Sequence, residues 1–274
     1  MTEPASPKKV LITGAYGLIG SLVCARLAAQ PHRYDVYGLD RVSQRSARSQ
    51  HISPCELPAG HLRLADISDL AAVRAAAEGM EVVVHLAADA SGGDGWQSVL
   101  ANNIIGTHNV FEACRLAGVR RVIFASSNQV VFGYRPGGQD LKQTAIQREA
   151  GELQAFRPID HTLPARPLND YACSKVYGEA LAHMYAHTHR LSCLCLRIGW
   201  VTPDDHVPKP AGRELWCSQR DIVQIIERCV NAPASLRFDV FFGQSDNRDN
   251  LVDIQHAREV LGYAPQDHAE ERLD

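Results

Sequence analysis

The chain has no apolar run close to the ~18 residues that a membrane-crossing helix requires. Met1 to Lys9 is polar, contains two prolines and lacks the apolar centre of a signal peptide. Both absences point to a soluble, cytoplasmic protein with no membrane partner. There is no Cys-x-x-Cys pair either. The eight cysteines, Cys24, Cys55, Cys114, Cys173, Cys193, Cys195, Cys217 and Cys229, follow no regular spacing. That argues against a disulfide framework; inside apolar stretches a free thiol behaves as a small hydrophobe. Positive charge is not in excess. With 28 Lys and Arg against 31 Asp and Glu, a net charge of -3 and a pI near 6.5, neither nucleic acid nor an anionic membrane is an expected partner. The local cluster Arg41, Arg45 and Arg48 is interleaved with Ser and Gln and reads as a solvated loop. Internal repeats and low-complexity tracts are also missing.

What is present is a chain of 274 residues, 45% hydrophobic, enough for one large α/β domain. Lys9-Val10-Leu11-Ile12-Thr13 reads as a buried strand. Gly14-Ala15-Tyr16-Gly17-Leu18-Ile19-Gly20 follows at once, and Ser21 to Ala29 has helical composition. In a strand-loop-helix context Gly14 permits a tight turn, Gly17 lets backbone approach a pyrophosphate, and Gly20 lets the helix pack on the sheet. The helix N-terminus offers free N–H groups to the phosphates. Val36 to Asp40 adds a second strand ending in an acid, twenty residues after Gly20, where a ribose-binding carboxylate belongs. Asp40 favours NAD, because a carboxylate repels a 2′-phosphate; Arg41 argues the other way.

A loop from Val42 to Gly60 and a strand from His61 to Asp66 come next. Asp66-Ile67 either holds the adenine or caps the helix that starts near Asp69. Ala71 to Ala77 is helical, Val82 to Leu86 is a strand running into Ala87-Ala88, and Gln97 to Ala117 is one long helix with Asn102 and Asn103, ended by Gly118. Arg121 to Ala125 is a strand running into Ser126-Ser127-Asn128-Gln129. This alternation predicts a Rossmann-type doubly wound parallel sheet, whose ligands bind at the carboxyl ends of the strands. Gly14, Asp40, Asp66, Ala87, Ser127 and Tyr171 should then converge on one crevice.

In Asn169-Asp170-Tyr171-Ala172-Cys173-Ser174-Lys175 a phenol and an ammonium stand four residues apart, one turn of a helix. A neighbouring cation favours the phenolate and brings the phenol toward useful acid/base behaviour near pH ~7. Alone the spacing is weak, since a half-buried Tyr above a solvated Lys satisfies it equally well.

Several pieces in order resemble the extended short-chain dehydrogenase/reductase (NAD-dependent epimerase/dehydratase) family. They are Thr13 to Gly20, His85-Leu86-Ala87-Ala88, Asn103-Ile104-Ile105-Gly106-Thr107, Phe124-Ala125-Ser126-Ser127, Tyr171 to Lys175, and the tail Ala257 to Pro265. Within it the chain looks most like the NAD-dependent uronate dehydrogenases, on Ala125 to Asn128, Leu196 to Gly199 and Trp216 to Asp221. The resemblance implies Tyr171 as general acid/base, Lys175 tuning it and holding the nicotinamide ribose, and Ser127 polarising the substrate oxygen. Ser126 would lie nearer the cofactor, and Asn103 would fix the helix behind Lys175. It further places Tyr16, Leu18, Ile19, Ile67, Leu86, Ala88 and Ile198 along the cofactor. Ala90, Asn128, Gln129, Trp200 and Arg213 would lie beside the substrate.

Two positions depart from the uronate enzymes: Gln129 stands where His is typical, and Trp200 where a small Ser is typical. Arg213 either clamps a substrate carboxylate bidentately or is a surface arginine. The implied layout is a dinucleotide core over 8–132, an insertion over 133–168 that could act as a lid, with a helical piece from Asp140 to Ala155, and a catalytic helix with a small substrate part over 169–274. No metal is expected: of His183, His187 and His189 the first two are one turn apart, but no Glu stands between them as in a zinc protease and their helix must pack against the sheet or a partner, and Cys193 and Cys195 face one side of a strand as core. The expected activity is NAD-dependent oxidation of an alcohol or hemiacetal hydroxyl on a small polar substrate, most of all a sugar acid, by a homo-oligomer. The rivals are a nucleotide-sugar epimerase or dehydratase and a non-catalytic dinucleotide sensor.

Overall fold

The computed structural model describes residues 6–45, 47–50, 52, 56–90, 93, 95–135, 158–208 and 212–272. Among them β1 (Lys8–Thr13), β2 (Tyr34–Asp40), β3 (Leu62–Leu64), β4 (Val82–His85), β5 (Arg121–Ser127), β6 (Ser192–Ile198) and β7 (Phe238–Gly243) form one sheet in the order β3-β2-β1-β4-β5-β6-β7. All pairs are parallel. The winding reverses between β1 and β4, where Thr13 lies beside Leu39 on one side and His85 on the other. A crevice at the carboxyl ends of the strands follows from that reversal.

The central strands are continuous apolar runs because helices cover both faces. Alternate residues feed two cores. Val10, Ile12, Val84, Ile123 and Leu196 meet α1 (Leu18–Ala28), α6 (Gln219–Asn231) and α7 (Gln255–Leu261). Leu11, Val83, Val122 and Phe124 meet α2 (Leu70–Ala77), α4 (Thr107–Ala117) and α5 (Asp170–Thr188). Each fully buried Leu, Ile or Phe contributes roughly 1.5–3 kcal/mol of transfer free energy. Cys193 and Cys195 pack in the second core, as their alternation predicts. Burial pushes the Cys193 thiol up to about 12, leaving an inert hydrophobe.

Helix boundaries follow side-chain chemistry. Asp69 caps α2 by accepting from Ala72 N at 3.0 Å, and Asn169 caps α5 by accepting from Ala172 N at 2.7 Å. Such a cap contributes about 1 kcal/mol. Asp66 instead tightens the preceding turn, accepting from Ser68 N at 2.8 Å.

Four expectations change. The long helix begins as α3 (Trp96–Ser98) and passes through a π-helical stretch, Val99–Gly106, before α4. Strand β3 shrinks to Leu62–Leu64 at the sheet edge, and β5 runs on through Ser127. The arginine cluster is not simply solvated. Arg45 donates to the carbonyls of Ser49 and Ile52, and Arg48 reaches the carbonyl of Val201 at 3.2 Å. These bonds pin the loop after β2 across the carboxyl ends of the strands. The helical and lid expectations for the insertion fall on residues 136–157, outside the described residues. Its flanks are anchored: Gly133 N donates to Arg166 O at 2.9 Å, and Ile159 pairs with Val252. Among the described residues no helix is long and apolar enough to cross a membrane.

Candidate active site

The glycine loop shows directly why those residues are glycines. Gly14 has φ +71°, and a Cβ on it would lie 2.9 Å from Ala87 N. A Cβ on Gly20 would lie 2.0 Å from the Gly14 carbonyl oxygen. The loop is therefore backbone packed on backbone. Helix α1 begins with Gly17, which has no capping side chain, and its first internal bond runs from Ser21 N to Gly17 O at 2.9 Å. The N–H groups of Leu18, Ile19 and Gly20 thus have no acceptor within the helix. This donor set fits a dinucleotide pyrophosphate.

Asp40 accepts from Tyr16 N at 2.9 Å and from Val42 N at 3.3 Å, so its carboxylate is fixed at the rim of that loop. A carboxylate has about four lone-pair sites, so it keeps acceptor capacity for ribose hydroxyls. Arg41 is exposed, and its charge helps hold the Asp66 carboxyl below the usual range, after the bonds from Ser68. Ser49 Oγ donates to the Tyr16 carbonyl at 2.8 Å, bringing the loop after β2 onto the glycine loop. Leu86 N donates to Thr13 O and Ala87 N to Thr13 Oγ1, both at 3.2 Å. Ile67 is buried against Gly106 of the π-helical stretch, Ile198 is buried at the end of β6, and Ala88 is half-buried.

Tyr171 and Lys175 face the ends of β4 and β5. Helix α5 can press on β5 because Gly178 lies over Phe124, where a Cβ would come within 2.1 Å of the ring. Buried Lys175 donates from Nζ to the Ala125 carbonyl at 2.8 Å and lies 5.5 Å from the Tyr171 ring centroid. Burial lowers its pKa to about 8, opposed by the charge of Asp89. The expected lowering of the phenol by Lys175 is not found. Burial raises the Tyr171 pKa; a hydrogen bond from Ser127 lowers it, Asp89 raises it, and the Arg48 guanidinium lowers it.

Asn103 sits in the π-helical stretch and ties the two sides together. Its Nδ2 donates to Asp89 O and to Ser174 Oγ, both at 3.0 Å, and its Oδ1 accepts from Asp89 N at 2.8 Å. Ser174 Oγ in turn donates to the Tyr171 carbonyl at 2.6 Å. A π-bulge at such a point is a recurrent feature of functional sites. Below it, His85 is fully buried between Thr13 and Thr107, and burial lowers its pKa to about 3, so the ring is neutral.

Other predicted residues are engaged differently. Ser126 Oγ donates to Glu179 Oε1 at 2.5 Å, and Glu179 takes two bonds from Arg197 at 2.9 Å, a buried ion pair. Gln129 accepts from Asn169, the cap of α5, at 2.9 Å. Asn128 donates to Gln244 at 2.6 Å. Trp200 is 38% exposed and bridges to Trp216, while Arg213 pairs loosely with Asp249 at 3.7 Å. Ala90 is exposed. Sequence reasoning missed Asp89, which only its place after Ala87-Ala88 hinted at, and Arg48. It also missed the buried Arg135–Glu214 pair at 2.7 Å, for which no local signal exists.

The NAD dependent epimerase/dehydratase family matches residues 10–202. The chain belongs to this family. Full-length relatives agree. An NAD-dependent glucose-6-phosphate dehydrogenase of Haloferax volcanii is 35% identical, the match covering 96% of this chain and 94% of that one. A uronate dehydrogenase of Pseudomonas putida is 32% identical over 96% of this chain and 85% of its own. The crystal structure of a mutant uronate dehydrogenase from Agrobacterium tumefaciens complexed with NAD superimposes with a TM-score of 0.75 at 31% identity, covering 96% of this chain and 86% of the other.

Proposed function

We propose that the chain is an NAD-dependent dehydrogenase that oxidises the hemiacetal hydroxyl of a small sugar bearing an anionic group. The observation that supports this best is the hydrogen bond from Ser127 to Tyr171 with Lys175 5.5 Å from the Tyr171 ring, in a sheet whose first strand leads into the uncapped first turn of α1. A uronate and glucose 6-phosphate, named for two relatives, are both aldoses with a negative charge at the far end from the anomeric carbon.

Gly14, Gly17, Leu18, Ile19 and Gly20 hold the pyrophosphate, Asp40 the adenosine ribose, and Lys175 with Tyr171 the nicotinamide ribose. NAD supplies the hydride acceptor. Ser127 donates to the reacting oxygen, and Tyr171 Oη takes the proton that the hydroxyl loses. Lys175 and Arg48 place positive charge near the phenol, against the burial and Asp89 that raise its pKa. Oxidation therefore rises with pH as the phenolate forms. Trp200 and Arg213 form the substrate rim; the loose Arg213–Asp249 pair can yield to a substrate anion. The enzyme works in the cytoplasm as a homo-oligomer.

The test is NADH formation, followed by absorbance, across uronates, sugar phosphates, neutral aldoses and nucleotide sugars. Net NADH with anionic aldoses is expected. No turnover with any of them, or conversion of a nucleotide sugar without net NADH, overturns the reading.

A further inference from the structure

At β7, the last strand of the sheet, three side chains from separate parts of the chain meet. His161 lies just after the Ile159–Val252 bridge, Asp239 lies on β7, and His256 lies on α7. One ligand atom of each lies within 4.8 Å of the others. His256 Nε2 is 2.9 Å from Asp239 Oδ1. The His161 and His256 rings stack at 3.7 Å, and Phe241 covers His256 at 5.1 Å. All three side chains are half-buried. None belongs to the crevice residues named above.

We propose that His161, Asp239 and His256 form a binding site for a borderline divalent metal ion of the Zn2+ type, separate from the dehydrogenase crevice.

Two imidazoles and a carboxylate suit such an ion, with a fourth position left to water. Bonds of ~2.0–2.2 Å at tetrahedral angles place ligand atoms roughly 3.3 Å apart. The present separations, 2.9 Å on one edge and at most 4.8 Å on all, bracket that value. Stacked rings hold their in-plane lone pairs side by side, so one ring must turn about its Cβ–Cγ bond to aim at a shared ion. That torsion is broad and inexpensive.

The local charges favour the ion. His161 faces His256, Asp239, Asp160 and Arg197, so two carboxylates stand against one fixed cation around its ring. Arg197, the one fixed cation of that set, is already neutralised by its two bonds to Glu179. The other close histidine pair is poorer. His183 and His187 stack at 4.1 Å, but the Nδ1 of His187 is engaged with the His183 carbonyl at 2.8 Å. An ion at His161 would tie the segment leading to Asn169, the cap of the helix carrying Tyr171, to the sheet edge.

The test uses the full chain freed of metal with EDTA and titrated with ZnCl2 by calorimetry. One ion per chain and a raised thermal midpoint are expected. His161→Ala and His256→Ala should each weaken Zn2+ by more than the ~10–100-fold that second-shell changes cost, while a His183→Ala/His187→Ala double variant binds like the parent. Should a histidine variant fail to fold, Asp239→Asn, which keeps a partner for His256, and the visible d–d absorption of Co2+ on the parent chain still decide. The absence of both Zn2+ binding and a low-coordinate Co2+ spectrum overturns the proposal. So does binding that survives His161→Ala and His256→Ala, or that disappears with His183→Ala/His187→Ala.

Discussion

The two ends of the crevice are built differently. At the dinucleotide end the geometry is made by backbone: Gly14 against Ala87, Gly20 against Gly14, and free N–H groups at the start of α1. At the end proposed for the substrate it is made by side-chain pairs between residues far apart in sequence. Arg135 meets Glu214 across 79 positions and Asn128 meets Gln244 across 116. Between them Asn103 bonds Ser174, whose hydroxyl donates to the Tyr171 carbonyl, and Lys175 donates to the Ala125 carbonyl. A site whose support is backbone tolerates changes of surface side chains but not of glycines. A site supported by buried pairs fails one pair at a time.

The comparison can be broken in order of effect. Tyr171→Phe should lower kcat by about 10²–10⁴-fold, the usual contribution of a positioned acid/base, while NAD affinity by calorimetry stays as in the parent. An equal fall in both would move Tyr171 from chemistry to binding. Arg135→Ala, at the end proposed for the substrate, takes the guanidinium away from a buried carboxylate and should cost ~3–5 kcal/mol in a urea titration. An effect as small as that of a surface change would refute the importance of the pair.

Lys175→Met tests the junction through pH. The folded pKa lies at about 8, below the ordinary lysine value of 10.5, so between these values the unfolded chain holds the proton that the folded chain has lost. Parental stability should therefore gain with rising pH across that window, a gain absent from the variant. Below pH 8 the buried charge is a cost, and Lys175→Met should raise the thermal midpoint at pH 7 while activity is lost. Parallel stability-versus-pH curves for the two proteins would contradict this.

Gly20→Ala, at the dinucleotide end, forces a Cβ toward the Gly14 carbonyl and should cost ~1–3 kcal/mol by overpacking, with weaker NAD binding. Stability and NAD affinity equal to the parent would dissolve the contrast between the two ends. Arg213→Ala should change stability by no more than ~1 kcal/mol, since its pair with Asp249 is exposed. Its effect should appear in KM for anionic sugars and not for neutral ones. Identical KM values for both classes would remove Arg213 from the rim.

Much of this was legible because the signals are short-ranged. The glycine loop, Asp40 and the alternation of strands and helices each lie within a few residues of their effect. The role of Asn103 is half legible: its position is read from the resemblance, but its bonds to Asp89 and Ser174 depend on a π-helical stretch that no periodicity announces. Gln129 illustrates the limit. Its position suggests substrate contact, while its amide oxygen braces the cap of the helix that carries Tyr171 and Lys175, a bond that no local pattern announces.

The sequence by itself determined the alternation of strands and helices, the glycine loop with its acid at Asp40, and the candidacy of Ser127, Tyr171 and Lys175, because hydrophobic period, glycine spacing and helix spacing are local properties of the chain; the order of the strands in the sheet came from the tertiary structure. Tertiary structure alone decided the electrostatics of the site. That the phenol is raised by burial, that Lys175 falls to about 8 beside Asp89, and that Arg48 crosses to Val201 depend on desolvation and on charges brought together from distant segments.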